Sequence, residues 1–159
     1  MTDTAATTAP NGGRPRSAPT RDQLAAWRAF LRAHASITRA LEAELVAEQD
    51  LPLASYDVLV QLAEAPGGQL RMTELADAVL LSRSGLTRLV DRLERSGLVA
   101  RGPVEHDGRG VVARLTEAGL ARLRTASRTH LRGIAHHFVS RLDEADLGQL
   151  ERISNRLVR

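Results

Sequence analysis

The sequence predicts a mostly α-helical domain that carries one small β-hairpin. Three observations point to it. Apolar residues recur at alternating three- and four-residue spacings along most of the chain, as on helices that bury one seam. Aromatic residues are only 3% of the chain (Trp27, Phe30, Tyr56 and Phe138), so the core must be leucine and alanine, which suits packed helices. One stretch alone departs from this: Leu98–Arg101 and Val111–Leu115 are β-branched runs separated by turn residues.

The elements follow in order. Residues 1–19 are Thr, Ala, Pro, Gly and Arg without apolar periodicity and read as a disordered, mildly basic arm. Thr20 and Gln23 have the form of a capping box, so a helix should run from there to about Glu48. Its stripe is Leu24, Trp27, Leu31, Leu41 and Leu45, with Phe30 and Ile37 alongside and His34 and Thr38 interrupting. Leu51-Pro52-Leu53 breaks it. A second helix from about Ala54 to Ala65 should bury Val58, Leu59 and Leu62, ending at Pro66-Gly67-Gly68. A short helix over Thr73–Val79 precedes Ser82, a plausible cap for a helix that stops at Ser96-Gly97. Residues 102–110 read as a long hairpin tip. Thr116 should cap a long helix to about Leu142, with Leu120, Leu123, Leu131, Ile134 and Phe138 on its stripe. Asp143 begins a last helix whose buried side should be lined by Leu150, Ile153 and Leu157.

Composition removes several function classes. At 159 residues the chain is one domain's worth and needs no disulfide or metal to bury a core. The absence of cysteine excludes disulfide scaffolds, thiolate metal sites and thiol catalysis. Apolar runs are too short to cross a bilayer, and the first ten residues lack a secretory signal's apolar core, so a soluble cytoplasmic protein is expected. The net charge is only +3 despite a pI near 10.7. All 22 basic residues are arginine, so almost nothing titrates between histidine and arginine, and the pI overstates the basicity. Scarce aromatics argue against a stacking platform for single strands.

What matters is where the arginines sit. In the helix after Ser82, Leu86, Leu89, Val90 and Leu93 make one face, while Ser84, Thr87, Arg88, Asp91, Arg92 and Arg95 make the other. Arg88, Arg92 and Arg95 fall at i, i+4 and i+7 on one line. From Ser82 to Arg101, five arginines face two acids. The first turn, Ser82, Arg83, Ser84 and Gly85, is small enough to approach base edges, and a helix N-terminus favours phosphate. These are the requirements of a major-groove helix. At the hairpin tip Arg109 stands among glycines, suited to a narrow minor groove, with Asp107 able to hold its guanidinium.

Met72-Thr73-Glu74-Leu75-Ala76, the run Ser82–Val99, Asp107-Gly108-Arg109 and Leu115-Thr116-Glu117-Ala118-Gly119 together resemble the MarR family of winged helix-turn-helix regulators. The resemblance implies dimerisation helices over 20–50 and 116–159 and a DNA-binding module over 54–115. It implies an obligate homodimer that binds double-stranded DNA and acts by autoregulation or local repression, relieved by a small-molecule effector or by oxidation. The DNA-binding residues would be Ser82, Arg83, Ser84, Thr87, Arg88, Arg92 and Arg95 with Asp107 and Arg109. Gly108 departs from the pattern, since the family often has a second basic residue there. The lack of cysteine removes its oxidation-sensing branch. The dimer has a physical warrant too. The first and last two helices carry more large apolar residues than a module of about 45 residues can cover, and two-fold symmetry predicts a pseudo-palindromic site.

For an effector the candidates are Trp27, Phe30 and His34 on the first helix and Tyr56 and Asp57 on the second, although a histidine placed like His34 is more often a satisfied core or interface residue and Tyr56 fits plain core equally well. None of the five histidines has tight metal-ligand spacing, so no metal and no cofactor is expected, although a metal-responsive regulator is an alternative. No phosphate loop, nucleophile elbow or carboxylate pair suggests an enzyme. The other competing class is a winged protein-interaction module that turns its basic face to an acidic partner.

Overall fold

The structure, a computed structural model, describes residues 18–104 and 107–158, with backbone alone at 107–109. The helices are α1 (Arg21–Gln49), α2 (Leu53–Glu64), α3 (Met72–Ala78), α4 (Arg83–Arg95), α5 (Glu117–His137) and α6 (Glu144–Leu157). The strands are β1 (Gln69–Arg71), β2 (Val99–Val104) and β3 (Asp107–Leu115), in the antiparallel order β1-β3-β2. The chain falls into two compact units, Met1–His34 and Ala35–Arg159.

In the first unit the capping box closes as the sequence expects. The Thr20 N–H donates to Gln23 Oε1 at 2.9 Å, and the Gln23 N–H donates to Thr20 Oγ1 at 3.3 Å. The predicted seam does not bury here: Trp27, Phe30 and Leu31 are exposed, Trp27 by 55%.

The second unit holds the core, built from Leu45 of α1, Val58, Leu59 and Leu62 of α2, Leu75 of α3, the apolar face of α4, and Leu123 and Ala126 of α5. The local signals act as anticipated. Ser82 Oγ accepts the Gly85 N–H at 3.1 Å, Thr116 Oγ1 accepts the Gly119 N–H at 2.9 Å, and Asp143 Oδ1 accepts the Asp146 N–H at 2.7 Å. Gly97 turns α4 into β2 at φ 72, where a side chain would be strained.

Four expectations are corrected. The hairpin tip is short, because β2 extends to Val104 and β3 starts at Asp107, with a register shift between Pro103 and Val104. The irregularity takes in Gly108–Gly110 of β3, which fall between the Pro103↔Val111 and Val104↔Asp107 pairs. A third strand, β1, pairs Gln69–Arg71 with Arg114–Val112. Helix α5 stops at His137, after which Val139–Arg141 form a 3₁₀ turn. Its buried face is Gly119, Leu123, Ala126, Thr129 and Gly133, and Leu131 is 62% exposed.

Small residues bring α5 close to its neighbours. A Cβ at Gly119 would collide with the Leu98 carbonyl oxygen. One at Gly133 would lie 2.7 Å from Leu41 Cδ2 and 2.6 Å from Glu44 Oε2. Polar contacts then join α5 to the end of α1. Thr129 Oγ1 donates to Glu48 Oε2 at 3.0 Å and accepts from Gln49 Nε2 at 3.0 Å, Arg132 reaches Glu48, and His137 Nε2 meets Glu44 Oε1 at 2.6 Å. The Glu48 carboxyl is held below its ordinary range by the hydrogen bonds from Arg132 and Thr129.

Candidate nucleic-acid interface

Helix α4 separates two kinds of side chain completely. Leu86, Leu89, Val90 and Leu93 are buried, whereas Ser82, Arg83, Ser84, Thr87, Arg88, Arg92 and Arg95 are all exposed. The seven described candidates thus share one surface, held rigidly because the opposite face is core. The small polar groups at its start are ordered locally. Ser84 Oγ lies 3.3 Å from Ser82 Oγ, and Thr87 Oγ1 donates to the Arg83 carbonyl at 2.9 Å, which leaves the hydroxyl lone pairs to accept. Arg95 Nε donates to the Asp91 carbonyl at 3.2 Å. Arg88 and Arg92 make no ion pair among the described residues.

Charge on this face is sorted by one residue that composition cannot sort. Arg101, on β2, binds Asp91 Oδ1 at 2.7 Å and Glu94 Oε2 at 2.8 Å. It is therefore not one of the outward cations. The two acids of α4 are both engaged by it, and Arg83, Arg88, Arg92 and Arg95 are left to set the field outside. A signal for this was present in the sequence, since two acids three residues apart precede an arginine just beyond a tight turn.

The β2–β3 hairpin stands beside α4 as a wing. The side chains of Asp107 and Arg109 lie outside the described residues; their backbone is in β3, where Asp107 pairs with Val104.

The candidate effector residues divide between the units. In the first, the rings of Trp27, Phe30 and His34 follow one another along α1 with centroids 6.1 and 6.5 Å apart. In the second, Tyr56 is buried, its hydroxyl 3.3 Å from Ser127 Oγ and its ring 4.5 Å from that of His130. Asp57 is exposed as a whole residue, yet atoms crowd its carboxyl. That desolvation raises it above the usual carboxylate range, His130 opposing and Glu42 assisting. Desolvation likewise holds His130 below its ordinary value, against the pull of Asp57. A cleft of about 410 Å³ opens elsewhere in this unit, lined by Asp50, Leu51, Pro52, Ser55, Arg92, Leu93, Ser96, Leu98 and Arg122. None of the five candidates lines it. Among the described residues no group of three or more His, Asp or Glu is placed to hold a metal, and no helix is long and apolar enough to cross a membrane.

A short helix, a turn, an exposed polar helix and a three-stranded sheet with a projecting hairpin define a winged helix-turn-helix protein. A family model described as MarR family matches residues 49–110. AbsC, a MarR family transcriptional regulator from Streptomyces coelicolor, has a similar crystal structure. Its TM-score is 0.82 at 33% identity, covering 89% of this chain and 95% of that one. Sco3205, a MarR family regulator from the same organism crystallised in complex with DNA, gives 0.85 at 31% identity, covering 92% and 91%. An uncharacterized HTH-type transcriptional regulator of Bacillus subtilis, YfiV, is 46% identical over 68 residues, 43% of this chain and 41% of that protein. The chain spans about half the length of the curated relatives it matches. It belongs to the MarR family, whose members are transcriptional regulators rather than enzymes.

Proposed function

We propose that this protein is a sequence-specific double-stranded DNA-binding regulator that works as a homodimer, a ligand-responsive repressor on a pseudo-palindromic operator. The observation that carries the reading is the α4 face. Seven hydrogen-bonding or cationic side chains point outward from a helix whose other side is core, and its acids are taken up by Arg101. Such a helix fits a major groove, with small residues at its leading end and arginines toward phosphate. The Arg109 wing would reach the adjacent minor groove. Sco3205, crystallised with DNA, supports the same assignment.

The homodimer is supported by apolar surface that the single chain leaves open. On α5 and α6 this is Leu131, Ile153 and Leu157; in the first unit it is Trp27, Phe30 and Leu31. An effector fits the reading at the cleft beside Arg92, where an occupant would touch the DNA-facing helix. A cytoplasmic location follows from a chromosomal target.

The test is selection of bound duplexes from a random pool, followed by salt titration. A common half-site repeated about one helical turn apart, bound far more tightly than random duplex and weakening steeply with salt, is expected. Equal affinity for every duplex would overturn the reading in favour of a module for an acidic protein partner.

A further inference from the structure

We propose that Arg101 is a positioning residue for duplex reading, clamping the first strand of the wing to the DNA-facing helix so that both enter their grooves at one fixed angle. This rests on the DNA-binding reading above.

The geometry is specific. Besides its pairing with Ala113 in the sheet, Arg101 makes four polar contacts with α4 among the described residues. Its backbone N–H donates to Glu94 Oε1 at 3.0 Å. One terminal nitrogen sits 2.8 Å from Glu94 Oε2 and 2.7 Å from Asp91 Oδ1. The other donates to the Thr87 carbonyl at 3.2 Å. Thr87, Asp91 and Glu94 lie at i, i+4 and i+7, so the guanidinium spans two turns of the helix. The side chain is only 24% exposed, which limits solvent screening.

Two consequences follow. The planar fork satisfies several acceptors in fixed directions, so β2 cannot pivot on α4 without breaking bonds at more than one place. Because β2 is paired with β3 from Val99↔Leu115 to Pro103↔Val111, the whole hairpin is carried with it. The second consequence is electrostatic. Asp91 and Glu94 share α4 with Arg88 and Arg92, and Arg101 keeps their charge from facing phosphate.

The test compares full-length wild type, Arg101→Lys and Asp91→Asn on the selected duplex and on a scrambled one, across a salt series. Lysine keeps the charge and loses the fork. Arg101→Lys should leave scrambled-duplex affinity and the salt slope at wild-type values, while the ratio of selected to scrambled affinity falls about tenfold. Asp91→Asn removes one leg and one negative charge, so scrambled affinity should rise while the ratio falls. Melting temperatures establish that the variants fold; the Asp91 side chain is 46% exposed, so its variant decides the matter if Arg101→Lys does not fold. A ratio within about twofold of wild type in the folded variants would overturn the clamp alone. A wild type that selects no sequence would overturn the DNA reading and the clamp with it.

Discussion

The imidazole of His130 packs on the ring of Tyr56 with centroids 4.5 Å apart, and its Nδ1 is buried with no hydrogen-bond partner among the described residues. A buried nitrogen in that state is costly, and charging the ring there is costlier still. The pair ties α5 to α2, so protonation of one histidine bears on the packing of the second unit.

The sign of the pH effect follows. His130 lies below its ordinary 6.5 in the folded chain, so between the two values the unfolded chain binds more protons. Its contribution to stability is complete above 6.5 and declines as pH falls toward the folded value. Asp57 acts the other way and lower on the scale, complete below 3.8 and lost as pH rises through its raised value. Wild type should therefore melt at a lower temperature at about pH 5.5 than at about pH 7.5, and His130→Phe should narrow that gap. Calorimetry at both pH values decides it, and an unchanged gap assigns the effect to other groups.

On the DNA-facing surface, phosphate and groove contacts should separate by their salt response. Arg88→Ala should weaken binding to every duplex and reduce the salt slope by about one. Arg109→Ala should cost about 1–3 kcal/mol on the selected duplex. Fluorescence anisotropy across a salt series measures both. A wild-type slope for the first denies Arg88 a phosphate, and unchanged affinity for the second leaves the wing idle.

Self-association can be attacked without touching the core at Leu131. Leu131→Glu should shift the protein to monomers and lower its melting temperature, because the residue is exposed within the single chain and the stabilisation lost is that of association. Sedimentation velocity reads the outcome, and a stable dimer would move the interface elsewhere. Leu41, which the same stripe logic also places on the seam, is 8% exposed and packs beneath Gly133. A charge there would disrupt the subunit before any interface.

Gly119 offers a packing test. Glycine to alanine in a helix ordinarily stabilises by about 1 kcal/mol. Here the new methyl meets the backbone oxygen of Leu98, which cannot rotate away, so Gly119→Ala should destabilise by about 1–3 kcal/mol. Gly133→Ala should be milder, since one of its obstacles is the flexible end of Glu44. Urea titration of both variants ranks them; a stabilised Gly119→Ala would show that α5 can shift.

The sequence by itself determined the features encoded within a turn or two of chain. Thr20, Ser82, Thr116 and Asp143 begin their helices because each caps a backbone N–H three residues on. The period of Leu86, Leu89, Val90 and Leu93 chose the buried face of α4, and so the outward face as well. Only the tertiary structure decided what depends on a distant partner. Gln69–Arg71 has no pattern of its own and is a strand because β3 passes beside it. On the α1 stripe Leu41 and Leu45 are buried while Trp27 and Leu31 are exposed, a difference that the period alone does not encode. Arg101 counts among the basic residues in composition but is spent inside the module, because Asp91 and Glu94 reach it only once Gly97 has turned β2 back along α4. Capping and periodicity act over one or two helical turns, whereas pairing and burial depend on which faces the fold brings together.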